Sequence, residues 1–384
     1  MYSTDTLAQR ARGLLAQAAA RLGTADPLPD VGMAIDEQLD VPYGEPVDDT
    51  PLATHFSEQT PDQLNFVMRA TGRGVSGADR IRSASQAMTG LVGRQFGRAA
   101  RHWLDNQLEP VVSRDNGRSA SWGAAFGSAF DRQGLAESYM HCEWGPALMD
   151  ALPAPLHRIA RLAMEALPGL RPVIVSVRCG RSAGAQQLSF ESERPLALAA
   201  LEPLMDQLGL AHRHAGLMSS VAFVLGARFV LPAEAAMLTL RPLRQGVEMR
   251  LDVNLDEIPD LPSQLMALTR LQMTERPRSV QGMDRWLTAL TPDGYPGPGT
   301  VSVLSVWVRP DLPARVALYL RPASLDARIA PSVSQPPAAA PQRAPERAPD
   351  RAPDRAPDRA NQRTPDAVPA QALWSSSAWL PVAA

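Results

Sequence analysis

Four times between residues 118 and 322 the chain repeats one unit: two short runs of alternating apolar and polar residues joined by a tight turn, then a stretch with helical spacing. Residues 122–130 and 135–144 flank the turn Asp131-Arg132-Gln133-Gly134. Residues 173–179 and 186–191 flank the turn from Gly180 to Gly184. Residues 236–241 and 247–255 meet about Gln245-Gly246, and 300–309 and 315–321 about Pro310-Asp311-Leu312-Pro313. Runs joined by turns this short can pair only antiparallel, because a parallel neighbour needs a crossover of a dozen or more residues. The repetition therefore predicts an α+β fold of antiparallel hairpins alternating with helices and argues against a doubly wound parallel sheet.

The intervening helices are expected over 154–167, ended by Pro168-Gly169, and over 195–208, with proline at the first helical position and Gly209 at the end. A further helix is expected over 215–229, then one capped by Ser263 and one capped by Ser279. Ahead of the repeats, Leu7, Ala11, Leu14, Leu15, Ala18 and Leu22 form the stripe of an N-terminal helix over 5–22. Residues 25–60 read as a surface connection. Thr60-Pro61-Asp62 reads as an N-cap starting a helix to Ala70, and Ser76-x-x-Asp79 as a capping-box start of a longer helical stretch that stops at Glu109-Pro110. These readings divide the chain into an N-terminal helix and linker (1–58), a globular α+β domain (59–325) and a tail (326–384). In the tail Arg-Ala-Pro-Asp recurs at period four, and a proline at every fourth position forbids a helical ladder. The tail is expected to be extended and dispensable for folding, so deleting 331–384 should leave the thermal unfolding curve in place. Its end, Leu373-Trp374 and Ala378-Trp379-Leu380, is a candidate protein-docking segment.

Side chains alternate across a strand, so parity separates the faces. Val247, Met249, Leu251, Val253 and Leu255 oppose Glu248, Arg250, Asp252 and Asn254; Ala136, Ser138, Met140, Cys142 and Trp144 oppose Glu137, Tyr139, His141 and Glu143. Val173, Val175, Val177 and Cys179 oppose Ile174, Ser176 and Arg178. Val316, Leu318 and Leu320 oppose Arg315, Ala317, Tyr319 and Arg321, and Trp307 and Arg309 share the polar face of the partner strand. Two architectures fit: an open sheet with helices on one side and water on the other, or a closed αββα-repeat barrel with outer helices and a polar lumen. Aromatic residues among the arginines favour the barrel.

Charge and composition narrow the function. The 384 residues carry 38 cationic against 40 acidic side chains, a net charge of −2, which offers no cation surplus for a nucleic-acid backbone. Every cation is arginine, so lysine Schiff bases and P-loop lysines are excluded. Cys142 and Cys179 are too few for a disulfide framework and point to a reducing compartment, the cytoplasm. No apolar run approaches the roughly 18 residues a membrane span needs. Gly72-Arg73-Gly74-Val75-Ser76-Gly77 matches a dinucleotide fingerprint by letter, but no strand precedes it, and it reads as an interhelix linker. His212-Arg213-His214 and the two cysteines lack zinc spacing, Asp-Asp-x-x-Asp is absent, and no metal is expected.

A ring of hairpins with polar and aromatic residues inside and helices outside resembles the ABBA-type aromatic and peptide prenyltransferases. The local match is Arg315-Val316-Ala317-Leu318-Tyr319-Leu320-Arg321-Pro322, similar to that family's terminal strand, with weaker echoes in Phe130-Asp131 and in Cys142-Glu143-Trp144-Gly145-Pro146. The resemblance spans residues 118–322 and implies transfer of a prenyl group from an allylic diphosphate to an aromatic or peptide acceptor in a biosynthetic pathway. The prenyl diphosphate would be a co-substrate, with no other cofactor. It further implies that Arg178, Arg241, Arg250, Arg309 and Arg321, with Tyr319, hold the diphosphate. Trp307, Tyr139 and Tyr319 would shield the allyl cation with their π-faces, and Glu137 or Glu143 would take the acceptor's proton. The alternative is a non-catalytic ligand- or partner-binding scaffold of the same fold, in which the arginines pair with Glu248, Asp252 and Glu191 across neighbouring strands. It is supported by Ala317, which stands where the family carries a cation, by only two tyrosines on the candidate strands, and by the missing family glutamate near Ala120, Trp122 and Ala124.

Overall fold

Ten strands close into a ring. The computed structural model describes residues 5–45, 50–71, 74–112 and 120–329. The strands are β1 (Leu52–Ser57), β2 (Leu64–Met68), β3 (Ala124–Asp131), β4 (Gly134–Glu143), β5 (Leu170–Gly180), β6 (Gly184–Ser192), β7 (Ala236–Pro242), β8 (Val247–Asn254), β9 (Gly299–Val308) and β10 (Arg315–Pro322). Each is bonded antiparallel to the next in sequence, and β1 pairs with β10 to complete the closed barrel. Of the two expected architectures, the barrel is the one adopted. Closure leaves no exposed sheet edge, which is the physical advantage of a ring over an open sheet.

There are five hairpins, not four. The extra one, β1–β2, occupies a stretch expected to be a connection followed by a helix. Leu64, Phe66 and Met68 face the helices while Asn65 and Val67 face the lumen, a period of two that outweighs the helix-start signal of Thr60-Pro61-Asp62. Pro61 lies in the turn between these strands, where its missing N–H removes nothing from the ladder. The boundary expected at 58/59 therefore falls just after a barrel strand.

Helices pack around the ring: α1 (Leu7–Leu22), α2 (Leu28–Gln38), α3 (Gly77–Gln95), α4 (Gly97–Leu108), α5 (Ala154–Ala166), α6 (Glu202–Gln207), α7 (Ala211–Val224), α8 (Leu265–Gln272) and α9 (Pro277–Leu290). The stripe expected on α1 is buried along its length, between a Thr6–Gln9 capping box and Gly23 in the left-handed region. The Ser76–Asp79 capping box opens α3. The long stretch behind it divides at Gly97, whose φ of 85° no continuous helix allows. Residues 196–201 form a two-residue strand and a 3-10 turn before α6, and α7 starts four residues earlier than its pattern suggested. Neither serine caps its helix: α8 begins after Gln264, and Ser279 lies buried inside α9, which Pro277 opens. Gly72, Arg73 and the tail from residue 330 lie outside the described residues.

The main core lies between the helices and the outer face of the barrel, where Leu15, Phe56, Phe66, Phe126, Met140, Leu188, Leu251, Leu318 and Trp286 are buried. Each side chain of this kind contributes roughly 1.5–3 kcal/mol. Three small apolar groups sit apart from it: Ala53, Val67, Ala125 and Tyr139; Trp122, Ile174 and Met237; and Val303, Ala317 and Tyr319. Val173, expected on the outer face, sits at a register shift in β5 and packs with the second of these groups. All five hairpin turns lie at one end of the barrel, the connections through helices at the other. No described helix is long and apolar enough to cross a membrane.

Gly127 on β3 is required by its neighbour. A Cβ there would fall inside the ring of Tyr139, which leans across β3 and donates its hydroxyl to the Phe66 carbonyl at 2.9 Å. Gly127→Ala should therefore cost about 1–3 kcal/mol by overpacking, measured as a lower urea midpoint with an unchanged slope. An unaltered midpoint would mean that Tyr139 does not occupy this position.

Candidate active site in the barrel lumen

The polar faces read from parity all turn inward, but they do not form one cluster. Three levels can be distinguished along the barrel axis.

At the hairpin end, Arg178 (β5), Arg241 (β7) and Arg309, just after β9, face Glu137 (β4) and Glu248 (β8), and Arg315 opens β10 opposite Trp307. Glu248 accepts from both Arg241, at 2.7 Å, and Arg309. Glu137 accepts from Arg178, whose Nε lies 3.0 Å from Oε1. Burial opposes the charge on Glu248, yet its two guanidinium partners hold the carboxyl below the usual carboxylate range. Arg315 has no ion-pair partner among the described residues. Burial, with Arg276 and the carboxylate of Glu58 nearby, gives a net lowering of its pKa. Three guanidiniums, of Arg178, Arg241 and Arg309, thus meet the two carboxylates of Glu137 and Glu248, leaving a local surplus of positive charge in a chain whose net charge is −2. Trp307 lies beside Arg309, with the guanidinium 5.1 Å from its ring centre.

The middle level is neutral. Arg250, 3% exposed, donates from Nε to Asp252 at 2.9 Å, and Asp252 is 1% exposed. Ser305 also bonds Asp252, and Thr239 links this pair to Ser189 at 2.8 Å, so one network joins β6, β7, β8 and β9. Burial raises the Asp252 carboxyl above its ordinary value despite Arg250. On the opposite wall stand Tyr319, His55, Tyr139 and His141, with ring centres 4.9 Å apart for His55–Tyr319 and 5.3 Å for Tyr139–His141. His141 Nδ1 lies 2.7 Å from Ser176 Oγ. Burial raises the Tyr139 and Tyr319 hydroxyls and pushes both imidazoles well below their ordinary value, with Arg178 and Arg250 adding to the effect on the imidazoles.

At the far end the remaining expected residues are separated from the others. Arg321 sits six residues along β10 from Arg315, roughly 20 Å at strand rise. It makes two bonds, of 2.8 and 3.0 Å, to Asp256. Glu143, one of the two expected proton acceptors, accepts from Ser121 Oγ and from the backbone N–H groups of Trp122 and Gly123 at 2.7–2.9 Å. It ties down the entry to β3 instead of facing the arginines. Glu191 bonds Arg171 at 2.6 Å.

The structure therefore brings together Arg178, Arg241 and Arg309 with Glu137, places Tyr139 opposite Arg178 and Arg250 opposite Trp307 in the strand register, sets Tyr319 four residues along β10 from Arg315, and removes Arg321 and Glu143 to the opposite end. Sequence reasoning missed His55, because β1 was read as a connection. It placed His141 on the polar face but gave it no role. The alternation in Ala53, His55 and Ser57 against Leu52, Thr54 and Phe56 was the available signal.

The two buried imidazoles make stability depend on pH. In the unfolded chain a histidine binds a proton near pH 6.5, while the native rings resist it. Below that pH the unfolded state binds more protons, so stability falls as pH drops. Each ring should contribute a slope of about 1.4 kcal/mol per pH unit under these conditions. Urea unfolding at pH 7.5 and 5.5 measures it, and His55→Gln with His141→Gln should flatten the difference.

No protein-family model matches the chain, and neither does any curated protein sequence. Solved structures do match. The crystal structure of 5-dimethylallyltryptophan synthase from Streptomyces coelicolor superposes with a TM-score of 0.61 at 14% identity, covering 83% of this chain and 98% of that one. The 6-dimethylallyltryptophan synthase from Micromonospora olivasterospora, in complex with DMASPP and Trp, gives 0.66 at 14% identity over 85% and 99%. The prenyltransferase PriB, in a ternary complex with L-tryptophan and dimethylallyl thiolodiphosphate, gives 0.62 at 14% identity over 86% and 100%. At these identities the likeness is one of fold, and it extends over nearly the whole of each neighbour: this chain shares the closed antiparallel barrel fold of these prenyltransferases.

Proposed function

We propose that the protein binds an allylic prenyl diphosphate in the lumen and transfers the prenyl group to an aromatic or peptide acceptor. The observation that carries this reading is the surplus of guanidiniums at the hairpin end, set directly above a wall of aromatic rings. Arginine's planar fork suits diphosphate oxygens. A diphosphate engaging Arg241, Arg309 and Arg315, with Arg178 beside it, would meet fixed cations where charge develops as the C–O bond breaks. The allylic carbon would then lie toward Trp307, Tyr139 and Tyr319, whose π-faces stabilise a cation and exclude water. Fold neighbours have been solved in complex with tryptophan and dimethylallyl thiolodiphosphate or DMASPP, which supports the same substrate class here. Metal is given no part in this reading.

The test is turnover: the purified protein incubated with dimethylallyl or geranyl diphosphate and with tryptophan, tyrosine and peptides containing them. Prenylated product and released diphosphate are expected. A second reading, a non-catalytic scaffold that binds a ligand or partner, is favoured by one observation. Arg178, Arg241, Arg250, Arg309 and Arg321 each already hold a carboxylate of the chain. The absence of both product and diphosphate release with every prenyl donor would establish the second reading over the first.

A further inference from the structure

Both carboxylates expected to take the acceptor's proton are committed elsewhere, Glu137 to Arg178 and Glu143 to backbone N–H groups. A transfer to an aromatic ring still needs a base, because the ring carbon that gains the prenyl group must lose its hydrogen. Among the described residues, the buried lumen atoms without a hydrogen-bond partner include His141 Nε2 and His55 Nδ1. His141 is fully buried and His55 is 2% exposed. An unmet polar atom in such a place costs roughly 1–3 kcal/mol, which a bound group would relieve.

The two rings are not equivalent. His141 is braced: its Nδ1 contacts Ser176 Oγ on the neighbouring strand, and Tyr139 lies beside it on its own strand. His55 has no such side-chain brace and instead lies against Tyr319, its ring tilted by 40°. The brace matters because Ser176 Oγ can accept from Nδ1–H, and in that tautomer Nε2 carries the lone pair.

Resting on the reading of the protein as a prenyltransferase, we propose that His141 is the proton acceptor of the transfer and that Ser176 is its positioning residue. The allylic C–O bond breaks and diphosphate leaves with the electron pair. The ring carbon of the acceptor bonds the allyl carbon, giving an arenium ion. Its C–H bond then breaks, the electron pair restores the aromatic ring, and the proton passes to Nε2 of His141, whose Nδ1–H donates to Ser176 Oγ. The imidazolium returns its proton to water or diphosphate on release. An arenium ion is a strong acid, so a base weakened by burial and by the surrounding Arg250, Arg178 and His55 is still sufficient.

The experiment separates ionisation from proton removal. In His141→Gln, prenylated product should fall by a factor of about a hundred or more. Diphosphate and prenyl alcohol release from dimethylallyl diphosphate without acceptor should stay near wild type, since water needs no such base. Ser176→Ala should lower kcat with little change in KM, and added imidazole should partly restore His141→Ala. Product formation by His141→Gln at the wild-type rate overturns the proposal and leaves the prenyltransferase reading intact; a wild-type protein that neither ionises nor transfers overturns both. Nitrogen-15 NMR of labelled histidine tests the brace with no acceptor present. A Nδ1–H tautomer at the resonance lost in His141→Gln is expected, and the Nε2–H tautomer overturns the assignment.

Discussion

Replacing Arg250 with alanine is expected to destabilise the barrel by about 3–5 kcal/mol, the largest single effect in the lumen. Asp252 would be left 1% exposed, its charge opposed only by Ser305 and Thr239. Burial already works against that carboxylate with Arg250 in place, so the variant should bind a proton on folding and recover stability as pH falls. Removing both charges is different. Arg250→Met with Asp252→Leu eliminates the penalty along with the pair, and replacements of this kind are often neutral or better. Denaturant unfolding of the two variants makes the comparison. A single variant as stable as wild type would mean that Arg250 and Asp252 are not buried together. The pair joins β7, β8 and β9 through Thr239 and Ser305, so its first duty is to the ring; any role in holding a diphosphate comes on top of that.

Arg309→Ala provides the second large effect, on turnover instead of stability. Arg309 shares Glu248 with Arg241, so its removal leaves the carboxylate paired, and the Arg309 side chain is itself partly exposed. If it contributes to holding the leaving group, kcat/KM should fall by a factor of about 30 to 900, corresponding to roughly 2–4 kcal/mol of transition-state stabilisation. The urea midpoint should move little. Arg321→Ala is the matched control: 20 Å or so along the same barrel wall and paired to Asp256, it should leave turnover unchanged. Equal losses in both variants would place the diphosphate elsewhere. Glu248→Gln works in the opposite sense, since neutralising the shared carboxylate raises the positive potential at the hairpin end. It should tighten diphosphate binding while lowering stability.

Which parts of this site could be read from the letters follows from physical range. Strand faces were legible because alternation is local: Glu248, Arg250 and Asp252 against Met249 and Leu251 admit one assignment. The first hairpin was obscured, because Thr60-Pro61-Asp62 is chemically a good helix start and masks the short alternation in 52–57 and 64–68 that pairs these strands with each other and with β10. Axial position was the other blind spot. Arg178, Arg241, Arg309 and Arg321 look alike in parity, yet hairpin length and register place three near the turns and one at the opposite end. Pairing with carboxylates across neighbouring strands was anticipated and is found for Glu248, but Asp252 pairs with Arg250 on its own strand and Glu191 with Arg171, which no strand pattern had marked. His141 was visible and unused. Its distinction, a braced nitrogen on one side and an unmet one on the other, depends on Ser176 lying opposite it in the β4–β5 register.

On the proposed reading the lumen holds a prenyl diphosphate. Thermal unfolding in the presence of dimethylallyl, geranyl and farnesyl thiolodiphosphates tests it without requiring turnover or knowledge of the acceptor. At a ligand concentration a hundred times the dissociation constant, binding adds about 2.7 kcal/mol to stability. This should raise the melting temperature by several degrees, with a smaller rise at high salt and in Arg309→Ala. A melting temperature unmoved by any of the three, at millimolar ligand and low salt, would contradict the account.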